Sequence, residues 1–161
     1  MKILHSTCLT RKEWGYALVS FCVVFGMLAL LRLCVNPLIS NTDSLPQHYF
    51  IQIPKMAPKK GDYTVVDSEW FGGKIIKNIL GVSGDKIAFD SLGNVVVGGA
   101  VLGRAKKYSS AGMRLHPIRA QTIPDSYVFL GSEYPDSFDS RYQELGLIAV
   151  SRLKGWVIPI K

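Results

Sequence analysis

Ile75-Ile76-Lys77-Asn78-Ile79-Leu80-Gly81-Val82-Ser83-Gly84-Asp85 decides how this chain is to be read. An apolar, β-branched run closing on Ser-Gly-Asp predicts a strand followed by a tight turn. Alternation puts Ile75, Lys77 and Ile79 on one face and Ile76, Asn78 and Leu80 on the other, and one face is expected to be buried. If that face is the one carrying Lys77, desolvation lowers the pKa of the amine and leaves a base that accepts a proton near neutral pH. If it is not, Lys77 is an edge lysine that protects a sheet from pairing.

On both sides of this stretch, short apolar and β-branched runs alternate with turn chemistry, the pattern of a mainly β domain with little helix. Strands are expected at Tyr49 to Ile53, Tyr63 to Val66, Ile75 to Val82, Lys86 to Phe89, Asn94 to Val97, Tyr127 to Leu130, Leu147 to Leu153 and Trp156 to Ile160. Pro58-Lys59-Lys60-Gly61-Asp62, Leu92-Gly93 and Gly98-Gly99 supply further turns. Arg104 to Thr122 breaks the rhythm. It is polar, basic and aperiodic, which reads as a solvated loop, with a substrate- or lipid-contacting flap as the alternative.

Toward the N-terminus, Gly15 to Leu31 is uncharged and continues past Arg32 to Asn36-Pro37, long enough to span a hydrocarbon core of about 30 Å at about 1.5 Å per residue. No Ala-x-Ala-like site follows it, so a transmembrane anchor is expected rather than a cleaved signal peptide. Lys2, Arg11 and Lys12 precede it against Glu13 alone, which predicts a cytoplasmic N-terminus and an external remainder. The expected organisation is 1–13 cytoplasmic, 14–35 transmembrane and 36–161 an extracytoplasmic domain. With 161 residues and one anchor, no second globular domain fits.

From residue 36 onward 15 basic and 11 acidic residues leave a net +4, which favours an anionic bilayer surface. There is no basic stripe interleaved with aromatics, so nucleic acid is not expected as a partner. Cys8, Cys22 and Cys34 all lie in or before the anchor. No disulfide and no zinc spacing arises in the external region, and no metal or cofactor is expected.

Two polar segments complete the pattern. Ser40-Asn41-Thr42-Asp43-Ser44-Leu45-Pro46 follows the anchor, and Gly131-Ser132-Glu133-Tyr134-Pro135-Asp136-Ser137-Phe138-Asp139-Ser140-Arg141-Tyr142 follows a strand. Taken alone, the first reads as turn and cap chemistry. In the second, Asp139 and Arg141 are placed to pair, and Ser137 and Ser140 are short hydroxyls able to orient a lysine amine.

In this order, the anchor, the Ser44 segment, Gly61-Asp62-Tyr63-Thr64-Val65-Val66, the Lys77 segment ending in Gly84-Asp85, and Ser137-Phe138-Asp139-Ser140-Arg141 resemble the membrane-anchored signal peptidase family, serine proteases with a Ser-Lys dyad. The resemblance is closest to the conjugative-transfer branch, the TraF-type peptidases that mature pilin precursors. It implies a signal-peptidase-like β domain with Ser44 as nucleophile and Lys77, eight residues before Asp85, as general base. It places Thr42 with the Ser44 N–H in the oxyanion hole and Ser137 on the lysine amine, and makes Asp139 with Arg141 a supporting or catalytic pair. It further implies a precursor protein as substrate, membrane lipid and proteins of a conjugation apparatus as partners, and a site in the bacterial inner membrane with the domain on the periplasmic side. Some members of the branch close the pilin into a ring by aminolysis of the acyl-enzyme.

The sequence departs from that pattern at His48, where glycine is usual after Ser-x-Pro-x, at Phe50 for tyrosine, at Ser83 for proline and at Ser132-Glu133 for Asp-Asn. The competing readings are a housekeeping signal peptidase, a Ser-His-Asp hydrolase built on His48 or His116, and a non-catalytic anchored β domain of a secretion or conjugation channel. Gly-x-Ser-x-Gly is missing from the sequence, which disfavours the triad.

Overall fold

The computed structural model describes residues 10–34, 36–40, 45–54, 57–70, 72–132 and 134–160. The chain divides after Asn36 into two compact units. The first holds α1 (Arg11–Cys34), which over Arg11–Arg32 is long and apolar enough to cross a membrane. Its start is set by Thr10-Arg11-Lys12-Glu13, a capping box: the Thr10 N–H donates to Glu13 Oε2 at 2.7 Å and the Glu13 N–H to Thr10 Oγ1 at 3.4 Å.

The remainder is mostly β. Its strands are β1 (Asn36–Ile39), β2 (Tyr49–Ile53), β3 (Tyr63–Ser68), β4 (Gly73–Gly81), β5 (Lys86–Phe89), β6 (Asn94–Val97), β7 (Ala100–Arg104), β8 (Gln121–Thr122), β9 (Tyr127–Gly131), β10 (Ile148–Ala149) and β11 (Leu153–Pro159). They form a seven-stranded sheet in the order β1-β2-β11-β3-β4-β9-β10 and a four-stranded sheet in the order β7-β6-β5-β8.

The large sheet has apolar groups on both faces. Ile75 and Ile79 of β4 join Val66, Val128, Leu130, Ile148, Leu153 and Trp156 on one, while Ile76 joins Val65, Phe50, Val157 and Leu45 on the other. Ile87, Val95, Val97, Ile118, Ile123 and Phe129 form a third cluster, which ties the small sheet to β9. Gly81 permits this junction, because a Cβ there would lie 2.6 Å from Val97 Cγ1 and 2.7 Å from Ile123 Cδ1.

Three expected features differ. Leu147 to Leu153 is not one strand: β10 gives way to a 3-10 turn over Val150–Arg152 before β11 begins. Its apolar run carries no period that separates the two arrangements. The β6–β7 hairpin turns at Gly98 and Gly99, both with positive φ (53° and 89°), so a strand follows where only a turn was expected. Segment 104–122 is not simply solvated, since Leu115 and Ile118 are buried and its ends belong to β7 and β8.

Candidate functional site

Lys77 lies in the middle of β4, registered opposite Thr64 of β3. It shares the face of Ile75 and Ile79 and is only 5% exposed. A protonated amine in that setting is poorly solvated. Burial therefore lowers its pKa to about 8, with the carboxylate of Asp139 acting in the opposite direction and the guanidinium of Arg141 adding to the fall. The amine donates to Ser137 Oγ at 2.7 Å.

Ser137 belongs to the loop that leaves β9, and the chemistry of that loop explains its shape. Ser140 Oγ accepts the Leu130 N–H at 3.0 Å, so this second hydroxyl fastens the loop to β9. Asp139 accepts two parallel bonds from Arg141, Nε to Oδ1 and Nη2 to Oδ2, both at 2.9 Å. Both residues are fully buried. Burial works against the charge of Arg141, but the hydrogen bond and charge of Asp139 outweigh it and hold the guanidinium above its ordinary pKa. Arg141 also donates to Leu102 O at 2.9 Å, Tyr134 O at 3.0 Å and Ser137 O at 3.2 Å, so it gathers the loop and β7 around one cation.

Lys77, Ser137, Asp139 and Arg141, named from the sequence, thus stand together. Ser44 and Thr42 lie outside the described residues. His48 is paired with Ser40: the Ser40 N–H donates to His48 O at 2.7 Å and His48 Nδ1 is 3.3 Å from Ser40 O. It has no positive φ, a conformation found among the described non-glycine residues only at Ser126. His116 is engaged with Glu144 at 2.8 Å. Trp70, which meets Phe138 from outside the loop, and Tyr142, which stacks on Phe138 within it, have no role that the sequence pattern alone assigns. The signal available for Trp70 was a large aromatic side chain between two expected strands, close to Gly72-Gly73, where solvent would not select one. Among the described residues no group of three or more His, Cys, Asp and Glu side chains could hold a metal ion.

The arrangement offers a buried amine that is readily deprotonated just above neutral pH, oriented by a hydroxyl and flanked by a neutralised ion pair. Such a group is suited to accept and return a proton. No curated protein matches the chain. Among solved structures, a signal peptidase I from Enterococcus faecalis V583 is similar at 20% identity and a TM-score of 0.42, over 65% of this chain and 99% of that one. The family model for signal peptidase, peptidase S26, matches residues 11–160. From the apolar helix to the end of β11, the chain belongs to the signal peptidase family, peptidase S26, a family of serine peptidases that act on precursor proteins.

Proposed function

We propose that this signal peptidase uses a Ser-Lys dyad, with Ser44 as nucleophile and Lys77 as general base. The observation that carries the reading is the burial of the Lys77 amine against Ser137, which supports an amine that gives up its proton far more readily than an ordinary lysine. Lys77 takes the hydroxyl proton as Ser44 Oγ attacks the scissile carbonyl, and returns it to the leaving amine. Thr42 and the Ser44 N–H hold the oxyanion. Ser137 orients the amine, and Asp139 with Arg141 braces the loop that carries Ser137.

Resemblance of the small external domain and of the Asp136-Ser137-Phe138-Asp139-Ser140-Arg141-Tyr142 loop supports the conjugative, TraF-type branch, with a pilin precursor as substrate. The charge asymmetry around α1 supports a single-pass anchor in the bacterial inner membrane, with a cytoplasmic N-terminus and a periplasmic domain from residue 36. An extended precursor segment adds as a strand near the site, its small residues selected by alternate pockets.

The test is co-expression of a candidate pilin precursor with the wild-type chain, Ser44→Ala or Lys77→Ala, read by mass spectrometry. Cut precursor with the wild type and uncut precursor with both variants is expected. A product lighter by one water identifies cyclisation. Cleavage by either variant at the wild-type level overturns the dyad.

A further inference from the structure

The loop 134–144 is gripped from two sides. On one side lies segment 105–120: Lys106 pairs with Asp136, its N–H donates to the Tyr142 hydroxyl at 3.2 Å, the Ile118 N–H donates to Arg141 O at 2.8 Å, and the Gln143 N–H donates to His116 O at 2.8 Å. On the other side the β3–β4 turn presents Trp70, whose ring centroid is 6.0 Å from that of Phe138 and whose Nε1 donates to Glu144 O at 3.1 Å. The Phe138 ring in turn stacks on Tyr142 at 5.9 Å with an interplanar angle of 10°. Tyr142 belongs to both grips and is 2% exposed.

We propose that Tyr142 is a positioning residue for the Lys77 amine: its hydroxyl ties segment 105–120 to the loop, its ring ties the loop to the Trp70 turn through Phe138, and between them they fix the Ser137 hydroxyl on Lys77. This rests on the reading of Lys77 as the general base. The basic segment is then part of the machinery that holds the amine rather than a solvated excursion.

The physical reason is that Ser137 sits on irregular backbone. Among the described residues its N–H bonds to Tyr134 O at 3.1 Å within the same loop, and no sheet ladder sets its place. The charged groups that act on Lys77, Asp139 and Arg141, ride on the same loop. On β3 the residue registered opposite Lys77, Thr64, is uncharged, and β9 sets the uncharged Gly131 and Leu130 opposite the next two residues of β4, Asn78 and Ile79. Loosening the loop therefore moves the orienting hydroxyl and both charges together and admits water to the amine. Resolvation favours the ammonium form.

The experiment is a pH titration of Lys77 by NMR in the full chain in detergent micelles, with lysine labelled with carbon-13 at the ε position and Lys77→Ala used for assignment. Tyr142→Phe keeps the ring and removes the hydroxyl. Trp70→Ala releases the opposite grip from an exposed turn and provides a second variant should the first not fold. Each is expected to raise the Lys77 midpoint by about half a pH unit or more relative to wild type. A lowered melting temperature with an unmoved midpoint in the folded variants overturns the positioning role and leaves Tyr142 a structural residue. A wild-type midpoint at the ordinary lysine value contradicts the base reading itself, so the two failures are distinct.

Discussion

The amine of Lys77 and the hydroxyl of Ser137 stand 2.7 Å apart although 60 residues of chain separate them. One comes from the centre of a nine-residue strand and the other from irregular backbone, so the pair exists because the β9 loop is folded back against β4. What the pair does depends on the protonation of the amine. Burial lowers its pKa from 10.5 to about 8, so the base form grows as pH rises through about 8. The expected profile of kcat/KM against pH has an acid limb with a midpoint near that value, measurable on a cleavable precursor peptide. A limb centred near 6 would point to histidine instead.

The same shift makes a statement about stability. Below about 8 the folded and unfolded chains both carry the proton on Lys77, and the destabilisation by the buried charge is fully present. Between about 8 and 10.5 the unfolded chain binds more proton than the folded one, so this contribution to stability rises with pH. Lys77→Met is expected to abolish activity while stabilising the fold at pH 7 by up to about 3 kcal/mol, a gain that disappears above the ordinary lysine pKa. Urea denaturation at pH 7 and pH 10.5 checks both halves.

Asp139→Asn removes one partner of a fully buried ion pair and leaves the Arg141 guanidinium uncompensated. The expected destabilisation is about 3 to 5 kcal/mol, read as a lowered urea midpoint. Because the Asp139 charge raises the Lys77 pKa, any activity that survives is expected to show its acid limb at lower pH than the wild type. An upward shift would contradict this assignment of the electrostatics.

The ends of β2, β5 and β6 are legible in the sequence because each is an apolar run bounded by turn residues. The alternation of β4 likewise places Lys77 with Ile75 and Ile79, but that both faces of this strand are covered depends on the rest of the fold, which sequence periodicity does not supply. β8, only two residues long, leaves no pattern to detect. Leu115 and Ile118 are isolated apolar residues in a basic segment, and only the tertiary fold shows that both are buried. Asp139 and Arg141 are close enough in sequence for a pair to be foreseen. The grip of Trp70 on their loop spans more than 60 residues and was not.

β11 carries a bulge between Leu153 and Gly155, where the backbone takes a φ of 149°. A Cβ at Gly155 would stand 2.8 Å from the backbone oxygen of Ile53. Gly155→Ala is therefore expected to destabilise the fold by about 1 to 3 kcal/mol through strain at the β2–β11 pairing. A thermal melt indistinguishable from wild type would contradict the tight packing of that pair.

Under the proposed dyad, Thr42→Val removes a hydroxyl donor and keeps the side-chain shape. The expected loss is about a hundred- to thousand-fold in kcat, with the melting temperature unchanged. Normal turnover by Thr42→Val would remove Thr42 from the oxyanion hole without touching the roles of Ser44 and Lys77.

The central claim is that Lys77 activates Ser44, and the most direct measurement is acid-quenched mass spectrometry of the full chain mixed with a precursor that it cleaves. The prediction is a transient ester between the N-terminal part of the precursor and Ser44 in the wild type, and none in Lys77→Ala. An adduct on any other residue, or the same ester forming at the wild-type rate in Lys77→Ala, would contradict it.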